Sequence, residues 1–337
     1  MAKLIVTGGL GFIGSNLIEF LLKKGHFVIN VDKVSYSSNF YNTRLFDKDK
    51  NYKFIKTDIV NKKKIQKIVK KYKPKCIFNL AAETHVDRSI DKSDNFLRSN
   101  ILGVHSLLEV LIKNKKVKLI HISTDEVYGS VNGKSRANEK QPYNPQNPYA
   151  ATKASSDHLI HSYKNTYNLK TIITNCSNNY GPNQNPEKFI PKIIYNILQK
   201  KNLPVYGKGI NSREWIYVLD HCEALYRIYQ KGKIGETYNI GSNKNLTNKD
   251  LVKKIIFLCS RKKIFNKKSK MIFIKDRPGH DHRYALDSKK IKTKLKWSSA
   301  IDINEGLSKT IDWYKNNKKF YKLARNVKFF KRLGKNR

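Results

Sequence analysis

Ser123-Thr124-Asp125-Glu126-Val127-Tyr128-Gly129 places a hydroxyl beside two carboxyls, and Tyr149-Ala150-Ala151-Thr152-Lys153 follows downstream. Tyrosine and lysine four apart on a helix share one face. A lysine so placed can hold the tyrosine in its ionised, base-competent form. Two neighbouring carboxyls supply one general acid and one general base, provided their environments split their affinities for a proton. Together these groups suit an enzyme that oxidises a sugar carbon, eliminates water and returns the hydride. A lone tyrosine–lysine pair is common by chance. The argument therefore depends on which elements position the pair.

The first such element is Thr7-Gly8-Gly9-Leu10-Gly11-Phe12-Ile13-Gly14. Gly8, Gly11 and Gly14 lie between a short apolar run, Lys3-Leu4-Ile5-Val6, and a helical pattern from about Phe12 to Lys24. Glycines there permit a tight turn and a close approach of a pyrophosphate to the helix N-terminus. Asp32 ends the next strand, Phe27 to Val31, where its carboxylate can accept from adenosine ribose hydroxyls. That favours NAD over NADP, whose phosphate the carboxylate would repel; a turn residue at a strand end is the lesser alternative. Asp58-Ile59 follows the third strand-like run and could flank an adenine. Leu80-Ala81-Ala82 follows the fourth, where small side chains let a cofactor approach the backbone.

Further strand-like runs lie at Phe54-Ile55, 76–80, 118–122 and 171–174, with helical stretches near 61–72, 94–115 and 148–167. Strand and helix alternating in this way predict an α/β doubly wound parallel sheet. Thr124 then falls at the carboxyl edge of the sheet, where ligands bind in such folds. After about residue 180 the rhythm breaks at Pro182, Pro186, Pro191 and Pro204. Two helices near 189–199 and 219–229 and several small strands predict a smaller mixed α/β substrate lobe. We divide the chain into 1–180, a dinucleotide-binding domain with the catalytic residues, and 181–315, mainly the substrate lobe, with the chain crossing between them. Residues 316–337 form a basic tail.

The formal net charge is +42 over 337 residues. Such a charge invites a nucleic-acid partner. Lysine outnumbers arginine 56 to 12, however, whereas base-reading surfaces lean on arginine. The lysines are also spread along the chain, so no specific nucleic acid is expected. From Lys315 to Arg337 there are ten basic residues and no acidic one, which predicts a solvated or loosely docked end. No apolar run is long enough to span a membrane. The chain enters a strand at once, leaving no room for a signal peptide. Cys76, Cys176, Cys222 and Cys259 form no CxxC pair, which favours reduced, buried thiols in a cytoplasmic protein. The histidines show no metal-ligand spacing, so no metal is expected.

Several segments carry a resemblance. They are 80–90 (Leu-Ala-Ala-Glu-Thr-His-Val-Asp-Arg-Ser-Ile), 123–129, and Cys176-Ser177-Asn178-Asn179-Tyr180-Gly181-Pro182. Arg213-Glu214-Trp215-Ile216-Tyr217-Val218 and Arg277-Pro278-Gly279-His280-Asp281 complete the set. From about residue 2 to 315 the chain resembles the extended short-chain dehydrogenase/reductases, and more narrowly the dTDP-glucose 4,6-dehydratases. Asp125-Glu126 is the narrowest marker, because sugar 4-epimerases of the superfamily lack both acids there. The resemblance implies a Rossmann-like fold, bound NAD and a homodimer made by pairing the helices at 94–115 and 148–167. It implies that Tyr149, held ionised by Lys153 and the nicotinamide charge, takes the proton of the sugar 4-hydroxyl, with Thr124 close by. Hydride leaves C4 for NAD⁺, Glu126 removes the C5 proton, Asp125 protonates the departing C6 hydroxyl, and hydride returns to C6.

The resemblance further implies cofactor contacts from Lys33, Val34, Ser35, Ser99 and Asn179. It assigns substrate contacts to Thr84, His85, Asn178, Lys188, Phe189, Tyr206, Arg213, Asn248, Arg277 and His280. Arg213 and Arg277 would bind the diphosphate in fork geometry, though surface ion pairs would also explain them. Tyr206 would stack on the pyrimidine, unless it is ordinary core. The expected activity is dehydration of dTDP-glucose to dTDP-4-keto-6-deoxyglucose in deoxysugar synthesis such as that of rhamnose. The alternatives are the same reaction on UDP-glucose, a nucleotide-sugar 4-epimerase, or a basic NAD-binding nucleic-acid or membrane-associated protein without activity.

Overall fold

The computed structural model describes residues 1–324. Its main strands are β1 (Lys3–Thr7), β2 (Phe27–Asp32), β3 (Tyr52–Lys56), β4 (Cys76–Asn79), β5 (Lys118–Thr124) and β6 (Thr171–Cys176). The later, mostly shorter strands are β7 (Asn178–Tyr180), β8 (Leu203–Tyr206), β9 (Ser212–Tyr217), β10 (Thr237–Ile240), β11 (Asn245–Thr247) and β12 (Met271–Ile274). Seven of them build one sheet in the order β10-β6-β5-β4-β1-β2-β3, and every neighbouring pair is parallel. The chain runs outwards from β1 to β3, then restarts at β4 on the other side of β1. That reversal opens a crevice at the carboxyl ends of β1 and β4.

The strands are apolar on both faces because helices cover both. Alternation along β1 sends Leu4 and Val6 into one core and Ile5 into the other. The first core is closed by α1 (Phe12–Lys23) and α8 (Val218–Lys231) through Leu17, Ile18, Leu21, Cys222, Leu225 and Ile228. The second is closed by α2 (Lys62–Tyr72), by a helical run over 94–112, and by α6 (Pro148–Tyr167). On α2 only Ile65, Ile68 and Val69 face the core, and its lysines lie on the solvent side. The 94–112 run is α4 (Asp94–Phe96), a π-helical turn (Leu97–Leu102) and α5 (Gly103–Ile112); α3 (Val86–Asp91) precedes it.

A second body packs over the carboxyl edge. It contains the sheet β11-β9-β7, the pair β12-β8, and helices α7 (Phe189–Leu198), α9 (Asn248–Arg261) and α11 (Ile303–Asn316). Its core gathers Ile190, Ile194, Trp215, Leu251, Ile255, Leu307 and Tyr314. Between these segments the chain re-enters the large sheet as β10, beside which α10 (Lys289–Leu295) packs.

The end of the chain requires a correction. The tail expected from residue 316 is folded at its start, as α12 (Lys318–Ala324), with Phe320 and Tyr321 buried against Tyr41, Tyr195 and Tyr314. Two aromatic rings bury enough apolar surface to hold a lysine-rich turn in place. The remainder of the expected tail, 325–337, lies outside the described residues.

Candidate active site

The crevice begins at the glycine loop. Gly8 has φ +70, and a β-carbon on it would stand 2.9 Å from the Ala81 backbone. At Gly14 a β-carbon would stand 2.3 Å from the Gly8 carbonyl oxygen. Neither position admits another residue without moving backbone, so the glycines let the loop close tightly into a cradle along one side of the crevice. Gly8, Gly11, Phe12, Ile13, Gly14, Asp32, Lys33, Ser35, Asp58, Ile59, Leu80, Ala81, Ala82 and Ser99 line one continuous cavity. Asp32 Oδ2 accepts from Leu10 N at 3.0 Å, and its Oδ1 accepts from Val34 N and Ser38 Oγ, both at 2.8 Å. Lys33 donates to Glu83 at 3.2 Å and to Ser99 at 2.7 Å. Val34, with φ 63, turns instead into a neighbouring open cleft with Lys56, Lys64 and Arg98.

Thr124, Asp125, Glu126, Tyr149 and Lys153 line the same cavity, where β5 ends and α6 begins. Thr124 is the N-cap of a 3-10 turn over Asp125–Tyr128, which points the two carboxyls inward. Its hydroxyl accepts from Glu126 N at 3.3 Å and donates to Asp125 Oδ1 at 3.2 Å. Asp125 is 3% exposed, and its Oδ2 has no partner among the described residues. Burial, then the charges of Glu126 and Glu214, push its carboxyl well above the usual range near 3.8. Glu126 Oε2 instead accepts from Asn147 Nδ2 at 3.2 Å and lies 3.4 Å from Tyr284 OH, whose own proton goes to Asp281 Oδ2 at 2.5 Å. Asn147 also caps α6 by accepting from Ala150 N, with Pro148 as the first helical residue. The cap of the tyrosine–lysine helix therefore also holds a carboxylate of the acid pair.

The phenol and ammonium differ from the sequence expectation in their partners. Lys153 Nζ donates to Ile122 O at 2.8 Å and meets His121 Nε2 at 3.1 Å. Burial, then Glu126 and Cys176, push the Tyr149 hydroxyl well above 10. Burial pushes Lys153 down to about 8, with Asp157 and Cys176 opposing. Within the protein's own field the phenol is thus protonated, and ionising it calls for positive charge placed in the cavity.

Of the residues expected on the substrate side, Thr84, Asn178 and Lys188 line the cavity, as does Asn179 from the cofactor set. Lys188 donates to Thr84 O at 2.7 Å. His85 stands 3.8 Å from Glu187, which also accepts from Arg88. The others gather beside the cavity rather than in its lining. Tyr206 donates to Asp87 at 2.9 Å and Arg277 pairs with the same carboxylate at 3.1 Å. His280 Nδ1 meets Asp276 at 2.5 Å. Arg213 donates to the Ser212 and Asp281 carbonyls, both at 2.9 Å, and lies over the Tyr284 ring at 4.3 Å. Phe189 stacks against Trp215, and Asn248 opens α9. The two arginines are thus engaged by this chain's own acceptors, although Arg277 Nε is buried with no partner among the described residues. Sequence reasoning missed Asn147, Tyr284, Asn185 and Glu187. Only the Asn-Pro signature of a helix start could have pointed to Asn147.

Among the described residues, no group of three or more His, Cys, Asp or Glu is placed to hold a metal ion. No helix among them is long and apolar enough to cross a membrane.

The crossover sheet, glycine cradle, strand-end carboxylate and tyrosine–lysine helix define an extended short-chain dehydrogenase/reductase. The GDP-mannose 4,6 dehydratase family pattern matches residues 5–310. The dTDP-glucose 4,6-dehydratase of Neisseria meningitidis serogroup B is 40% identical over 352 residues, covering 99% of both chains. The chain belongs to the dTDP-glucose 4,6-dehydratase family. The crystal structure of that enzyme from Bacillus anthracis, in complex with NAD, has a TM-score of 0.89 at 39% identity, covering 96% of this chain and 100% of that one. A UDP-glucose 4-epimerase from Thermotoga maritima, solved with UDP-glucose, shares the fold at TM-score 0.86 but only 28% identity, covering 94% and 99%.

Proposed function

We propose that this protein dehydrates dTDP-glucose to dTDP-4-keto-6-deoxyglucose, with NAD as its resident redox group. NAD, when bound, accepts the C4 hydride and returns it to C6. The glycine cradle and the Asp32 carboxylate fit its pyrophosphate and ribose. Tyr149 takes the 4-hydroxyl proton, with Lys153 supplying positive charge close by. Glu126, held by Asn147, takes the C5 proton. Asp125 gives its proton to the departing C6 hydroxyl, and Glu126 then reprotonates C5.

The observation that carries this reading is the split between two adjacent carboxyls. Asp125 is enclosed and favours its protonated form, as a general acid requires. Glu126 instead accepts from the Asn147 amide and lines the cavity, where a base must stand. An epimerase has no use for either group. Asp87, Tyr206, Arg277 and Arg213 form the wall on which we place the nucleotide diphosphate.

Two further assignments rest on surface and thiols. Leu97 and Leu102 are 47% and 52% exposed on the helical run beside α6, and Tyr167 is 38% exposed at the end of α6. Covering this apolar strip supports a homodimer formed through these helices. All four cysteines are buried and unpaired, which suits a reducing, cytoplasmic setting. Mass spectrometry of the products from dTDP-glucose and UDP-glucose, incubated in parallel, tests the reaction. Loss of one water from the dTDP sugar is expected, whereas a galactose epimer of unchanged mass would refute it.

A further inference from the structure

Unlike the other crossovers of the large sheet, the connection between the parallel strands β2 and β3 contains no α-helix, only a 3-10 turn at Phe40–Thr43. Its first residues, Ser35 to Asn39, are rich in side chains that bond their own backbone and so oppose a helix. Ser38 Oγ accepts from Ser35 N at 3.0 Å and donates to Asp32 at 2.8 Å. Asn39 Oδ1 accepts from Tyr41 N at 2.9 Å. The loop lies against the glycine loop, where Leu10 O accepts from Asn39 N at 3.1 Å and from Asn42 Nδ2 at 2.9 Å. Ser35, Ser37 and Ser38 line the crevice, and so do Gln184, Asn185 and Glu187 from the segment before α7.

Two knots tie this loop to the second body. In the first, the Arg88 guanidinium lies over the Tyr36 ring, 4.2 Å from its centroid. Arg88 Nε and Nη2 also donate to Glu187 Oε2, at 3.3 and 3.1 Å. Arg88 belongs to α3, so three stretches far apart in sequence meet at one group. A guanidinium is flat, and it serves a carboxylate at its edge while its face covers a ring. The Glu187 side chain is only 4% exposed, so water screens this ion pair little. In the second knot, Asn317 Oδ1 at the end of α11 accepts from Tyr41 OH at 2.8 Å and from Arg44 Nη2 at 3.0 Å. Tyr41 also packs against Phe320, with ring centroids 6.0 Å apart. The loop is therefore fastened at both ends to a body other than its own.

We propose that Tyr36, Arg88 and Glu187 form a clasp that holds the loop after β2 against the second body and keeps NAD in the crevice between turnovers. This deepens the reading above and rests on it for its purpose: a cofactor that takes a hydride and gives it back within one cycle has no need to leave. Tyr36 and Arg88 meet each other rather than the crevice lining. The clasp therefore sets how often the crevice opens, and not how tightly NAD is held inside.

The test needs no sugar substrate. Full-length protein loaded with tritium-labelled NAD is diluted into excess unlabelled NAD, and the label still bound is counted over time. The dissociation constant is measured on the same preparations by equilibrium dialysis. Tyr36→Ala and Arg88→Leu should each release label about ten-fold faster or more. Their Kd should stay within about three-fold of wild type, because a change in opening that does not discriminate bound from free protein moves both rate constants together. Tyr36→Phe keeps the ring beneath the guanidinium and should release label at the wild-type rate.

Unchanged release from both Tyr36→Ala and Arg88→Leu overturns the proposal. Faster release matched by an equal rise in Kd also overturns it, since that is the mark of a lost cofactor contact or a damaged site. Arg88→Lys keeps a charge for Glu187 but no flat face for the ring, and it takes the place of Arg88→Leu if that variant fails to fold. If the wild-type protein converts no nucleotide sugar, the functional reading fails, while the release of label still decides this one.

Discussion

Replacing Asp125 by Asn separates the two halves of the proposed chemistry. The change keeps shape and removes only the transferable proton. Thr124 can still donate to the Oδ1 position, and the new amide nitrogen replaces an oxygen that has no partner among the described residues. The fold should therefore tolerate it. Withdrawing a positioned general acid typically costs about 10²–10⁴-fold, or about 3–5 kcal/mol of barrier. That loss should fall on elimination, because Asp125 acts only when the C6 hydroxyl departs. Quenching with borodeuteride distinguishes the steps: label at C4 of an intact hexose reports oxidation, and a 6-deoxy sugar reports elimination. Label should appear within a few-fold of the wild-type rate, while the 6-deoxy product falls at least a hundred-fold.

The same substitution carries a stability signature. The folded-state pKa of Asp125 lies above its unfolded value, because burial and the charge of Glu126 disfavour the carboxylate. The folded protein then binds more protons than the unfolded chain. Wild-type stability must fall as pH rises from the ordinary carboxyl range towards that raised value. Asn does not titrate, so the difference in Tm between variant and wild type should grow with pH over that interval. Elimination at the wild-type rate, or a Tm difference independent of pH, would refute the assignment of Asp125 as the protonated acid.

Three further outcomes are expected. Tyr149→Phe should abolish C4 labelling by borodeuteride while NAD content, measured after denaturation, stays at the wild-type level; residual oxidation above about 1% would point to another base. Asn147→Ser removes the amide donor to Glu126 while keeping an N-cap for α6, and should slow solvent-deuterium entry at C5 about ten-fold, with C4 oxidation little changed. Gly14→Ala would place a β-carbon 2.3 Å from the Gly8 carbonyl oxygen, so calorimetry should show NAD binding weakened by at least ten-fold, whereas Gly25→Ala, with no atom within 4 Å of its β-carbon, should bind NAD normally.

Much of this protein was readable along the chain because its information is local. The glycine spacing after one apolar run fixes a turn, a helix start and a place for phosphate. Continuous apolar runs separated by amphipathic stretches, such as Ile65, Ile68 and Val69 among the α2 lysines, fix a parallel sheet covered on both sides. Tyr149 and Lys153 share a face because a helix has 3.6 residues per turn. Asp125 and Glu126 stand together because they are covalent neighbours, and their order after β5 puts them at the sheet's carboxyl edge.

Tertiary structure decided what these groups are. Two adjacent carboxyls are equivalent in sequence; they became different because Asp125 is enclosed while Glu126 meets Asn147 and a tyrosine 158 positions away. Lys153 turned towards the Ile122 carbonyl and His121 because packing of α6 on β5 put them there. Arg277 is bound by Asp87 across 190 positions, which no spacing rule can foresee. Phe320 and Tyr321 drew the first turn of a lysine-rich end into the core because the aromatic cluster offered them burial. Residue types and short-range order determine which chemistry is available, since they set reach and periodicity. Proton affinities and partners depend on burial and on charges brought close by folding, so they exist only in the assembled structure.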